Sequence, residues 1–213
     1  FHRQLHMNKS SSHPSKNPPL GGWGATLSGP FTQLLTMENL PERGKLSDNQ
    51  LEIIPDAGIL HQDGVILEVG NFEQLRKENP GANIEFLEGD FVCLPGMIDV
   101  HTHICSAGSR ANDYAMRLAG KTYLEIAEAG GGIWSTVMKT REASMEVLAA
   151  LTVERAEKLY QQGITTLEVK SGYGLSVDDE IKILKAIQLA NPSTKTDRIT
   201  ACLAAHMKPK DFP

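Results

Sequence analysis

Hydrophobic and polar positions change rhythm along this chain, and the changes mark its organisation. From Phe31 to Leu94 the apolar runs are short and predict strands. Leu51-Glu-Ile-Ile54 is one. Ala57-Gly-Ile-Leu-His61 and Val65-Ile-Leu-Glu-Val69 flank Asp63-Gly64, a pair that favours a tight hairpin because both residues tolerate positive φ. Asn71 to Asn79 predicts a short helix, with Asn71 as N-cap and Pro80-Gly81 as its stop. Ile84-Glu-Phe-Leu87 and Phe91-Val-Cys-Leu94 predict two further strands. Residues 1–30, rich in Ser, Pro, Gly, Asn and His, lack periodicity and predict a disordered tail. His2, His6 and His13 then read as solvated tail histidines.

After Pro95-Gly96 the pattern becomes strand, helix, strand, helix, strand. Met97-Ile-Asp-Val100 predicts a short apolar strand, followed by a long loop and helices. Glu142 to Gln162 predicts an amphipathic helix, with Leu148, Leu151, Ala156, Leu159 and Tyr160 near one face and Gly163 ending it. Ile164-Thr-Thr-Leu-Glu-Val169 is the next strand. Ser176-Val-Asp-Asp179 resembles a capping box, and the helix from Asp178 to Ala190 ends at Asn191-Pro192. Ile199-Thr-Ala-Cys-Leu-Ala204 is the third strand. Such alternation is the signature of parallel βα units, and apolar strands fit a sheet covered on both faces. A closed (β/α)8 barrel needs eight strands and about 250 residues, so a barrel here would be incomplete.

Composition narrows the function classes. The chain has 213 residues, 40% hydrophobic and 22% charged, with net charge -5. No basic surplus neutralises phosphates, which argues against nucleic-acid binding. No apolar run approaches the roughly 18 residues of a membrane span, and Phe1 to Lys16 holds no signal-peptide core. Three scattered cysteines, Cys93, Cys105 and Cys202, give neither a disulfide framework nor a C-x-x-C pair, which fits a reducing, cytoplasmic setting. Phe1 and the closing Lys208-Pro-Lys-Asp-Phe-Pro213 both read as arbitrary cuts of a longer protein.

The strongest chemical signal is Asp99-Val-His101-Thr-His103. Alternate residues of an extended segment project to the same side, so His101 and His103 can grip one ion. Two surface histidines in a turn are the bland alternative. Arg110, in the loop beyond, can clamp a carboxylate through its planar fork or sit in an ordinary surface ion pair. Tyr123 reads equally as a packed helix aromatic or a ligand contact. Tyr173 stands between Gly172 and Gly174 after a strand, where a tight turn exposes its ring. His206, just past the third strand, could be a further metal ligand. Lys170 suggests a structural or electrostatic role, and Gly130-Gly-Gly132 a flexible loop.

The strand end Pro95-Gly-Met-Ile-Asp-Val-His-Thr-His103 resembles the metal-dependent amidohydrolase superfamily. Within it, Ala107-Gly-Ser-Arg110, Lys121-Thr-Tyr-Leu-Glu-Ile126, Ala129-Gly-Gly-Gly-Ile133, Ser135-Thr136, Thr140-Arg141, Val169-Lys-Ser-Gly-Tyr-Gly-Leu175 and Ala204-Ala-His206 with Pro209 resemble the imidazolonepropionase family, in order, from about residue 31 onward. The resemblance implies an α/β fold: residues 31–95 as the N-terminal part of a small β-sandwich, and residues 96–213 as the first three βα units of a truncated TIM barrel of amidohydrolase type. It implies one divalent metal ion, zinc or iron, held by His101 and His103. It assigns Arg110, Tyr123, Tyr173 and His206 to substrate, with the third metal histidine and a late-strand aspartate beyond Pro213. Ala204, where the family usually has Gly, and Cys105, where a bulkier apolar residue is common, depart from its pattern.

The implied reaction is hydrolysis of 4-imidazolone-5-propanoate to N-formimidoyl-L-glutamate, in a cytoplasmic enzyme of histidine breakdown that is often a homodimer. Its partner is then a small molecule, with neither nucleic acid nor membrane. Another amidohydrolase, a deaminase or cyclic-amide hydrolase, would share His101 and His103 without needing Arg110 or Tyr173. A non-catalytic metal- or ligand-binding fragment is the reading from a different class.

Overall fold

Residues 24–204 and 206–208 are described by a computed structural model, in which the chain divides into one compact unit up to Pro95 and another from Gly96. Residues 1–23 of the tail expected over residues 1–30, with His2, His6 and His13, lie outside the described residues, as do residue 205 and residues 209–213.

In the first unit, strand β1 (Thr26–Leu35) is flanked antiparallel by β2 (Ile53–Gln62), which pairs antiparallel with β3 (Val65–Asn71). On its other edge β1 pairs parallel with β4 (Asn83–Phe86) and with the two-residue β5 (Val92–Cys93). Helix α1 (Phe72–Glu78) begins at Asn71, whose side chain accepts from the Gln74 amide. Phe72 and Leu75 of this helix close over Leu27 and Leu60 of the sheet. The hairpin between β2 and β3 turns at Asp63 (φ 50) and Gly64 (φ 81), both in the left-handed region.

Two sequence expectations change here. β1 begins at Thr26, so residues 26–30 belong to a strand rather than to the tail. Ser28, Gly29 and Pro30 disguise it, while Ala25 and Leu27 are completely buried. The two runs around Pro55 form one strand, β2. β3 pairs with β2 only from Ala57 onward, so at Pro55 the strand has a partner on one side alone, where proline is tolerated.

The second unit carries three parallel strands in the order β6 (Met97–Thr102), β7 (Ile164–Lys170) and β8 (Asp197–Ala201). Between β6 and β7 run α2 (Ala111–Leu118), α3 (Tyr123–Glu128), α4 (Gly132–Glu142) and α5 (Met145–Gln161). Helix α6 (Val177–Ala190) joins β7 to β8. Leu148 and Ala156 of α5, Leu167 and Val169 of β7, and Ile183, Ala186 and Ile187 of α6 form one buried cluster. Burying each large aliphatic side chain stabilises by about 1.5–3 kcal/mol, and this layer fixes where the strand ends point.

The helix expected over Glu142–Gln162 is α5, which starts three residues later, at Met145. α4 ends at Glu142, Ala143 is extended (ψ 140), and the Ser144 side chain accepts from the Val147 amide to start α5. Ser176 caps α6 in the same way through the Asp179 amide, and Gly163 (φ 89) follows α5. The third strand lies earlier than expected, ending at Ala201. Beyond it the Leu203 amide donates to Ser171 Oγ, drawing the chain toward the end of β7.

Candidate metal and substrate site at the strand ends

All three parallel strands deliver side chains at their C-terminal ends, where α/β sheets bind ligands. β6 supplies His101 and then His103, β7 leads into Tyr173, and His206 follows β8. The His101 and His103 rings lie 5.4 Å apart, centroid to centroid. His103 is the hub: Tyr173 and His206 each stand 4.9 Å from it, and 5.5 Å from one another. Four residues from three separate strand ends thus form one ring cluster.

Both ring nitrogens of His103 are buried and lack a hydrogen-bond partner. Such orphaned atoms cost free energy unless something pairs with them. Burial pushes the His103 imidazole below its ordinary pKa of 6.5, and neighbouring His206 and His101 push the same way. A Ser171 backbone group opposes the shift but lies outside hydrogen-bond geometry. The result is a neutral imidazole with unshared lone-pair capacity, the form that binds a cation. His101 is exposed, and its amide donates to Asp99 Oδ1 at 3.1 Å. The pair fits part of an ion's coordination shell. Among the described residues no set of three His, Cys, Asp or Glu side chains stands ready to hold an ion.

A cavity of about 420 Å³ opens beside this cluster, lined by His103, Ser106, Arg110, Thr136, Arg155 and Tyr173 among others. Arg110, just before α2, directs Nε to the Asp113 carboxylate, which also accepts from the Gly132 amide at 2.9 Å. That amide, then Arg110, holds the Asp113 carboxyl below its usual range. Gly130-Gly-Gly132 is therefore the start of α4 and the anchor of Arg110's partner, not simply a flexible loop. Tyr123 is different: it opens α3 63% exposed and is absent from the cavity wall. Lys170 pairs with Glu168.

Sequence reasoning missed two groups. Arg155, on α5, donates from Nη1 to the carbonyls of Ile104 and Ser106, each at 2.6 Å, and from Nη2 to Gly108 at 3.3 Å. It thereby shapes the loop after His103. The other is Glu180, whose buried carboxylate accepts from the backbone around Tyr173. Both sit in helices as ordinary surface-type charges, and only the packing reveals what they hold. Cys105, by contrast, is a core residue: burial raises its thiol pKa, and Sγ contacts the Ile183 carbonyl at 3.6 Å.

No family model matches the chain. Among curated proteins it is 46% identical over 163 residues to the imidazolonepropionase of Mesorhizobium japonicum, covering 76% of this chain and 39% of that protein. The chain resembles the imidazolonepropionases. It is also 45% identical over 177 residues to the imidazolonepropionase of Idiomarina loihiensis, covering 83% of this chain and 43% of that relative. The chain therefore spans about two fifths of the length of these imidazolonepropionases. Among solved structures, a triazine hydrolase variant superposes with a TM-score of 0.50 at 16% identity, over 78% of this chain and 33% of its own. At that identity the likeness is one of fold alone, a mixed α/β architecture. Among the described residues no helix is long and apolar enough to cross a membrane.

Proposed function

We propose that this chain is part of an imidazolonepropionase, a cyclic-amide hydrolase that opens 4-imidazolone-5-propanoate to N-formimidoyl-L-glutamate in histidine breakdown. One observation carries the reading: the histidine pair, the Gly-Tyr-Gly turn and the third-strand histidine meet at one ring cluster beside Arg110, in a chain 46% identical to an imidazolonepropionase. The finer fold proposal goes with it. Residues 96–213 are read as the first βα units of a TIM barrel, residues 31–95 as part of a β-sandwich, and the parent as a cytoplasmic homodimer.

His101 and His103 are proposed to hold one divalent ion, zinc or iron. Such an ion activates water as a nucleophile and polarises a carbonyl. The remaining roles belong to this chain's own side chains. Arg110 spends Nε on Asp113, so its two terminal nitrogens can fork the substrate carboxylate. Tyr173 and His206, packed on His103, orient the imidazolone ring and limit its approach to the mouth. Tyr123 is proposed as a substrate contact on the resemblance.

A catalytic zinc usually takes three protein ligands and a water, and the described residues offer two. The 213-residue polypeptide by itself is therefore expected to bind an ion without turnover, which keeps a non-catalytic binding role as the second reading. The test is formation of N-formimidoyl-L-glutamate by the metal-loaded protein from the complete native reading frame. Turnover lost on chelation and in His101→Ala supports the proposal. No turnover of this substrate, or preferential hydrolysis of an aminopurine or triazine, sinks it.

A further inference from the structure

We infer that Glu180 is the positioning residue that holds Tyr173 against His103 and His206. Glu180 lies in the first turn of α6 and is only 5% exposed. Among the described residues no cation makes an ion pair with its carboxylate. Instead Oε2 accepts from the Gly172 amide at 2.8 Å, and Oε1 accepts from Gly174 at 2.9 Å and Leu175 at 2.8 Å. A buried carboxylate is costly unless its lone pairs are filled, and here the backbone that fills them is the turn carrying Tyr173.

That turn needs to be held. Gly172 has φ 126, and a Cβ there would come within 3.1 Å of His206 Cβ and 3.3 Å of His103 Cε1. Leu175 adopts φ 55, a left-handed conformation that a leucine keeps only when its surroundings over-determine it. Its amide is one of the three that Glu180 accepts. From the other side Arg141 Nε donates to the Gly174 carbonyl at 2.6 Å. The turn is thus pinned at both carbonyl and amide groups, and the side chain it presents is Tyr173, 4.9 Å from the His103 ring. A glutamate serving α6 alone would have no reason to bond three amides outside the helix.

The role rests on the function proposed above, but the two fail separately. In the complete native chain, isotope labelling reads the amides of Gly172, Gly174 and Leu175, together with ring-to-ring nuclear Overhauser contacts from Tyr173 to His103 and His206. E180Q turns one acceptor into a donor. It is expected to speed exchange of those amides roughly ten-fold or more and to weaken the ring contacts. The Ile183 and Ile187 amides of α6 stay protected. For the imidazolone substrate, KM rises about ten-fold while kcat changes little, the pattern of lost ground-state positioning. E180A should exceed E180Q in each respect. Should E180A unfold, E180Q alone decides. Undiminished ring contacts in E180Q, an unchanged KM, or loss of α6 protection together with the turn would each overturn the assignment. A wild-type protein with no turnover removes the functional reading, while the ring contacts still decide the role of Glu180.

Discussion

The site depends on single atoms whose partners can be removed one at a time. His103 has two buried ring nitrogens without a hydrogen-bond partner, so His103→Ala removes a proposed ligand and leaves a void. Calorimetric titration with zinc should show affinity falling by more than the roughly 10–100-fold that losing a ligand's supporting group costs. His101→Ala should do the same, and Lys170→Ala should not. An unchanged affinity in both histidine variants would place the ion elsewhere. Arg110 makes a second, independent case. Arg110→Lys keeps the charge but loses the planar fork, and a hydrogen bond to a charged group contributes about 1.5–3 kcal/mol. KM for the carboxylate-bearing substrate should rise about 10–100-fold, and a substrate analogue lacking the carboxylate should be insensitive to the change. Equal effects on both would deny Arg110 its carboxylate.

The elements that carry these residues depend on helix starts and on one packed layer. Ser176 caps α6, and Asp179 behind it makes ion pairs with Lys182 at 3.0 Å and Arg141 at 3.6 Å. Ser176→Ala should lower stability by about 1 kcal/mol, read as a shifted urea midpoint. Because α6 also carries Glu180, the same variant should loosen the Tyr173 turn. Asp179 adds a pH dependence. Burial alone would raise its pKa, but the Ser176 hydroxyl, Lys182 and Arg141 outweigh burial and hold it below the ordinary 3.8. The ionised form is thus favoured in the fold. Its stabilisation is fully present above about pH 3.8 and is lost as pH falls through the lowered value. Asp179→Asn should be less stable at neutral pH and should flatten the acid limb of the stability curve. An acid limb as steep as wild type would show that Asp179 does not contribute to it.

At the scale of the molecule, the helix layer over β6, β7 and β8 sets the spacing of the strand ends, and so of the rings. Leu167 is completely buried at the centre of that layer. Leu167→Ala should cost about 2–5 kcal/mol in denaturant unfolding. It should also disturb Tyr173, which follows the end of β7. A variant this destabilised whose ring contacts stayed intact would mean that the turn is fixed by Glu180 and Arg141 without help from β7.

Much of this arrangement is legible along the chain. Asn71, Ser176 and Gly163 act locally, each through one cap or one backbone angle, so local pattern finds them. The His101-x-His103 pair is legible for the same reason: two residues apart on a strand, both rings must share a side. Other features depend on distant groups. The start of α5 is placed three residues early because extended Ala143 and Ser144 interrupt a pattern that stays helical on either side. β1 is hidden by Ser28-Gly-Pro30, and is a strand because β2 and β4 pair with it from either side. Tyr123, assigned to substrate by its segment, is largely exposed and does not line the cavity beside the rings. Arg155 and Glu180 read as helix charges until the strands bring foreign backbone groups within reach of them.

By itself, the sequence determined the alternation of strand and helix, the caps and stops, the histidine pair and the glycine-flanked tyrosine, since each follows from bonds and sterics within a few residues. Only the tertiary structure decided that residues as far apart as His101 and His206 share one cluster, and that a buried glutamate on α6 fixes the turn between them. The physical reason is that burial and hydrogen-bond partnership at those positions are properties of the packed layer of β6, β7, β8, α5 and α6, which no local stretch of chain contains.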